Sequence, residues 1–213
     1  MKGVTFGSYH SFNSWGLILQ SKEIKAPEPK INQIDIEGGD GVLDLTDYFG
    51  DVKYKNRSLS FQFAKPGIEQ ASFLALFSQV QNLLHGKKMQ IILDDDSANY
   101  YAGRVTINEW KSDKNLGTIA IEVDAEPYKY KLNETVVSMP ISGSSTITLT
   151  NSRKRVVPSI TTDAEFTIAF GDYSGVFSAG TFMIPELELE EGNNTVTVTG
   201  TGNISFRYQE GGL

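Results

Sequence analysis

Cysteine is absent from the 213 residues, so disulfide frameworks, cysteine-ligated zinc sites and thiol nucleophiles are excluded at once. Histidine is nearly as scarce: His10 and His85 are the only two, and imidazole acid–base chemistry has nowhere else to sit. Basic charge is short as well. The 19 Lys+Arg against 26 Asp+Glu leave a net charge of −7 and a pI of about 4.9. A nucleic-acid binder needs a basic footprint to displace counterions, and this balance argues against one. No apolar run approaches the ~18 residues that a membrane-spanning helix needs. The opening MKGVTFGSYHSFNSWG also lacks the apolar stretch of a secretory signal. The expectation is a chain that is soluble when made, does not insert into membranes and reads no nucleic-acid sequence. What is present, 39% hydrophobic and 21% charged residues, is ordinary globular composition. A chain of this length can bury one large core or two small ones.

The patterning favours two. After Lys65-Pro66-Gly67, the segment IEQASFLALFSQVQNLLHG places Phe73, Leu76, Phe77, Val80, Leu83 and Leu84 three or four apart, which makes one apolar helix face. Glu69 stands where the first turn favours an acid, and Gly86 where a helix stops, so the spacing predicts a helix from about 69 to 85. Around it the period is two. Leu59, Phe61 and Phe63 alternate with polar residues, as do Leu43 and Leu45, and Ile119, Ile121 and Val123, while INQIDIEGG offers Ile31, Ile34 and Ile36 before a Gly-rich turn. These read as half-buried strands that give the helix a surface to lie on. Residues 1–131 are therefore expected to form an α+β, barrel-like domain with one packed helix. From about residue 132 to 213 there is no helical period and no tryptophan. STITLTN, EFTIAF, TFMIPELELE, NTVTVTG and NISFRYQ are short alternating runs between turn residues. That is the pattern of an all-β sandwich or jelly roll, so the fold class is mainly β.

Candidate chemistry is thin. His85 precedes Gly86 and reads as a helix C-terminal cap whose ring meets the exposed carbonyls. His10 lies among Ser8, Tyr9 and Ser11 in a turn-like stretch; a Ser/His site there stays open, without the G-x-S-x-G framing of a nucleophile elbow. Asp35, Glu37 and Asp44 alternate with apolar residues and so fall on a solvent face. EGGDG, residues 37–41, is followed by neither the lysine nor the helix that a phosphate loop requires, and reads as a hairpin turn. Arg153-Lys154-Arg155 reads as a solvated turn between strands. Asp94, Asp95 and Asp96 are consecutive, so along an extended chain their side chains diverge, unlike the alternating ligands of a calcium loop. Ser97-Ala98-Asn99 then turns the chain, and the acids are expected at a solvated hairpin tip with no metal. No catalytic, metal-ligating or cofactor-binding residue is assigned, and no cofactor is expected.

Several segments recur in a familiar order: SYHSFNSWGLILQSKEIKAPEPK, IEGGDGVLDLTDYFGDVKYKNRSLSFQF, LLHGKKMQIILDDDSANYYAGRVTI and EVDAEPYKYK. Together they resemble the distal tail protein family of long, non-contractile-tailed phages and prophages of Gram-positive bacteria. The resemblance covers about residues 1–131. The remainder, ending in Tyr208-x-x-Gly-Gly-Leu, is similar to the variable C-terminal part of that family in its β pattern. The resemblance implies a structural baseplate protein without an active site. Its N-terminal domain would form a hexameric ring with itself at the tail tip, joining the tail tube protein to a tail-associated fibre or lysin protein and a receptor-binding protein. It implies a galectin-like C-terminal sandwich facing outward, a place in the virion tail tip, and assembly in the host bacterial cytoplasm. An acidic or neutral ring lumen would suit the passage of DNA. Asp94, Asp95, Asp96, Tyr100 and Tyr101 then become candidates for an assembly-contact hairpin. The competing reading is a carbohydrate-binding adhesion module working through the C-terminal domain. There Tyr173, in GDYSG, is the one aromatic in a turn-like setting and the candidate glycan contact.

Overall fold

The structure, a computed structural model, describes residues 2–48, 50–113 and 115–213. The chain is mainly β and packs as two units, Met1–Pro127 and Tyr128–Leu213. In the first unit β1 (Val4–Phe6), β2 (Tyr9–His10), helix α1 (Ser11–Trp15) and β3 (Ile18–Ile24) come first. A hairpin of β4 (Gln33–Asp35) and β5 (Val42–Asp44) follows, then β6 (Arg57–Pro66) and helix α2 (Gln70–Leu84). The unit closes with β7 (Lys88–Leu93), a 3-10 turn at Asp94–Asp96, β8 (Asn99–Asp113) and β9 (Leu116–Lys131), whose last residues enter the second unit.

The strands hydrogen-bond in the order β2-β1-β7-β8-β9-β6-β3. Between β6 and β9 the register sets Leu59 beside Val123, Phe61 beside Ile121 and Phe63 beside Ile119, so the alternating apolar residues of both strands share one face. All six are buried. Phe6, from β1, meets Phe61 and Phe63 edge-on with ring centroids 5.8 and 6.1 Å apart, although β1 and β6 lie at opposite ends of the strand path. The sheet therefore curls round a common interior, the barrel-like arrangement expected.

Helix α2 lies on this core through Phe73, Val80 and Leu84, with Leu76, Phe77 and Leu83 half-buried beside them. Burying one such side chain contributes about 1.5–3 kcal/mol, which is why a stripe at spacing three and four decides the helix's orientation. The ring of Phe73 sits directly on Gly117 of β9, where a Cβ would lie inside van der Waals contact. Glu69 falls one position outside the helix, as the N-cap, and its side chain makes no capping hydrogen bond. Gly86 adopts φ +77° and donates its N–H to Val105 O at 2.8 Å, stopping the helix as expected.

The pairing of β4 with β5 corrects one expectation. Ile34 faces Leu43 across the hairpin, but neither meets a core. Ile31, Ile34, Ile36, Val42, Leu43 and Tyr48 are 48% to 72% exposed. Their alternation is that of a half-buried strand, yet among the described residues this apolar face stays exposed. The tip at 37–41 does form the hairpin turn, with Gly38 and Gly41 at φ +75° and +80°, conformations that only glycine adopts freely.

The second unit holds β10 (Thr135–Asn151), β11 (Ser159–Thr162), β12 (Phe166–Phe170), β13 (Tyr173–Phe177), β14 (Gly180–Met183), β15 (Gly192–Tyr208) and β16 (Gly211–Gly212). β10 and β15 pair antiparallel over their whole length, from Thr135↔Tyr208 to Asn151↔Gly192. The other edge of β15 carries β12 and then β11, giving the order β13-β12-β15-β11-β14. Its end strands come back together: Phe177 of β13 stacks on Phe182 of β14 at 4.7 Å and 13°. The sheet thus folds over a core that includes Ile147, Leu149, Phe166, Ile168, Val198 and Phe206. TFMIPELELE is not one strand. β14 ends at Met183, and Leu187 and Leu189 are buried from an irregular segment instead. There Leu189 bridges Val156, and the side-chain amides of Asn151 and Asn194 donate to Leu189 O and Glu190 O.

Candidate functional site

The three consecutive aspartates do not lie along an extended chain. They form a 3-10 turn between β7 and β8, and each carboxylate is engaged within the chain. Asp94 Oδ2 accepts the Gly3 N–H at 2.7 Å and faces His10 Nε2 at 3.2 Å. Asp95 pairs with Lys22 on β3, and this hydrogen bond holds its carboxyl below the usual carboxylate range. Asp96 accepts the Asn99 side-chain amide at 2.6 Å. Asp94 and Asp95 are exposed and Asp96 is half-buried. Among the described residues, no group of three or more His, Asp and Glu is arranged to hold a metal ion.

His10, Asp94 and Ser11 therefore lie near one another, but not as a catalytic relay. A triad histidine presents one ring nitrogen to the carboxylate and the other to the nucleophile. Here Nδ1 accepts the N–H groups of Phe12 and Asn13 at 3.2 and 3.1 Å, making His10 the N-cap of α1. That assigns the ring proton to Nε2, which donates toward Asp94. The Ser11 hydroxyl is fully buried and accepts the Val4 N–H at 3.1 Å. The stretch that reads as a turn is thus a short capped helix, tying β1 and β2 to the aspartate turn. His85 also differs from its reading. It is the C-cap of α2, but its ring turns away from the helix carbonyls and Nδ1 accepts the Ile107 N–H of β8 at 3.1 Å.

Beyond the aspartates, Tyr100 is half-buried, and Tyr101 points into the first core with the Arg57 guanidinium 5.3 Å from its ring centre. Tyr173 opens β13 opposite Phe170 and packs half-buried against the second core, its hydroxyl close over Gly175. Asp35, Glu37 and Asp44 are exposed with the rest of their hairpin. Hydrogen bonds from Thr46 hold the Asp44 carboxyl low. The basic turn at 153–155 is less solvated than its composition suggests. Lys154 Nζ donates to the Tyr130 hydroxyl at 2.8 Å, and Arg155 pairs with Glu190 at 2.7 Å.

One charged group escapes sequence reasoning. Glu210 is 5% exposed, and its carboxylate accepts hydrogen bonds from Lys131, Thr135 and Ser152. Burial alone would raise its pKa; these hydrogen bonds and the Lys131 charge outweigh that and hold it below the ordinary value. The adjacent β16 pairs with the end of β9, Gly211 beside Tyr130. The signal in the sequence was an acid closing the alternating run NISFRYQE, at a position where Phe206 and Tyr208 face inward.

These features bind, cap and brace; none positions a nucleophile against a base. No family model matches the chain, and no curated protein sequence matches it. Among solved structures, the chain is similar to the SPP1 Dit (gp 19.1) protein, with a TM-score of 0.72 at 14% identity over 98% of this chain and 99% of that one. That protein is described as a paradigm of the hub adsorption apparatus in Gram-positive infecting phages. The chain has the fold of SPP1 Dit over its whole length, the fold its sequence resemblance implied.

Proposed function

We propose that the chain is a structural hub protein of a phage tail tip. Six copies form a ring that joins the tail tube to the tail-associated and receptor-binding proteins, and the chain carries out no catalysis. The observation that carries this reading is the end-to-end likeness to SPP1 Dit, itself described as a hub adsorption protein. The exposed β4–β5 hairpin supports the ring. Ile34, Leu43 and, two residues beyond Ile34, Ile36 share one apolar face that a second copy of the chain would cover. A ring closes through unlike surfaces on each subunit, and a projecting arm supplies one of them. The virion tail tip is then the working location, reached after assembly in the host cytoplasm.

Gold-labelled antibodies against the full chain test this on virions that contain it. Label confined to the tip of the tail distal to the capsid is the expected result. Label on the capsid or along the tail shaft would overturn it. Rings counted in electron micrographs of detached tips are expected to show six subunits.

A further inference from the structure

Four strands of the second unit share an outward face on which their register aligns hydroxyl groups. Pairing sets Ser138 beside Ser205, Ser205 beside Thr161, and Thr161 beside Thr181, one residue from each of β10, β15, β11 and β14. Ser138 Oγ donates to Ser205 Oγ at 2.7 Å, and the hydroxyls of Thr161 and Thr181 lie 3.0 Å apart. Next to this row Asp163 accepts both the backbone N–H of Asn203, at 2.6 Å, and its side-chain amide, at 2.7 Å. A cleft of about 330 Å³ opens here, with Pro140 adding apolar surface to the hydroxyl and amide groups. We infer that this cleft binds a saccharide.

The chemistry of the lining selects that class. The strands beneath are paired with one another, so the face offers no free ladder for an added peptide strand. Charge does not favour an anion: Asp163 lies in the cleft, and the neighbouring Arg207 has Glu134 at 3.7 Å. Hydrogen bonds from Asn203 hold the Asp163 carboxyl below its ordinary range, so it is an acceptor at neutral pH. A hydroxyl can donate once and accept twice, so each group in the row keeps capacity after bonding its neighbour. Strands lie about 4.8 Å apart, so one sugar ring meets polar groups from two of them. Its C–H face meets Pro140. The volume falls in the range of small-ligand sites, about 300–1,000 Å³. With no aromatic ring in the lining, affinity rests on neutral hydrogen bonds exchanged with water, and a dissociation constant of about 1 mM is expected.

Saturation-transfer NMR on the full chain with maltose, lactose, cellobiose and chitobiose tests the inference, and works on monomer and ring alike. It is independent of the tail-tip reading, which stands or falls on labelled virions. The expected result is transfer to at least one disaccharide, lost in Asp163→Ala and reduced at least threefold in Thr161→Val and Ser205→Ala. Asp163→Ala removes an acceptor that braces Asn203 and could disturb the fold. The two hydroxyl deletions lie at solvent-facing strand positions, keep the backbone ladder and decide the matter. Transfer to none of the four sugars would overturn the inference. So would transfer that persists in both hydroxyl variants, or that disappears only in Tyr173→Ala.

Discussion

Glu210 shows how a single side chain is tuned by its surroundings. Its carboxylate is buried, and an unpaired charge there would be costly. Three donors, one of them the half-exposed Lys131 ammonium, compensate and leave its pKa below the ordinary value of 4.5. A carboxyl with a depressed folded pKa stabilises fully above the unfolded value, and that stability is lost as pH falls through the folded one. Glu210→Gln is therefore expected to destabilise the chain at pH 7 by about 1.5–3 kcal/mol, the range for hydrogen bonds to a charged group. That corresponds to a melting temperature lower by roughly 3–12 °C for a chain of this size. The gap between variant and parent should begin to narrow below pH 4.5, where the unfolded chain's carboxyl takes up a proton, and close as pH falls through the lower folded value. Melting followed by circular dichroism from pH 3 to pH 8 checks this; a gap independent of pH would rule out the ionic account. His10 belongs to the same scale. Its residue type suggested catalysis, but both ring nitrogens are occupied by structural bonds.

Helix α2 and the β4–β5 hairpin carry equally regular apolar periods and meet opposite fates. The stripe of α2 lies on the first core, and its end matches the spacing to within one residue. The isoleucines of the hairpin alternate as a buried strand would, but periodicity states only that one face is apolar and does not say what covers it. Among the described residues Ile34 and Leu43 stay exposed, so the period alone does not make this element half-buried. The consequence is measurable. Ile34→Asp with Leu43→Asp alters an exposed pair, so the monomer's stability should change by no more than about 0.5 kcal/mol per site. Ring formation should be lost, because two charges would have to be buried against the next copy. Light scattering and electron microscopy of the assembled tip, beside a melting curve of the isolated chain, separate these effects. Rings that survive both substitutions would place the subunit contact elsewhere.

Across the whole molecule the net charge is −7, and the dense run of basic residues at 153–155 is largely occupied by Tyr130 and Glu190. A hub through which DNA passes is best served by a surface that does not retain it. The chain is expected to show no binding to a fluorescent DNA duplex in anisotropy titrations, even at low salt where phosphate contacts are strongest. Saturable binding at low salt would reveal a basic surface created by assembly and would overturn the acidic or neutral lumen.

The sequence by itself determined the mainly β class, the extent of α2, and the inward faces of β6 and β9. In each case a short-range period states which residues must leave water, and the hydrophobic effect acts on that statement directly. The absence of cysteine and the scarcity of histidine also set the limits on its chemistry. What the tertiary structure alone decided were the pairings between distant residues. Asp94 with His10, Glu210 with Lys131 and Ser152, and the hydroxyl row from Ser138 to Thr181 join positions whose separation carries no periodic signal. DDD in particular looked like a free, solvated cluster. Its acids became braces only when the strands brought Lys22, Gly3 and His10 within reach, because a hydrogen bond depends on geometry that no local pattern encodes.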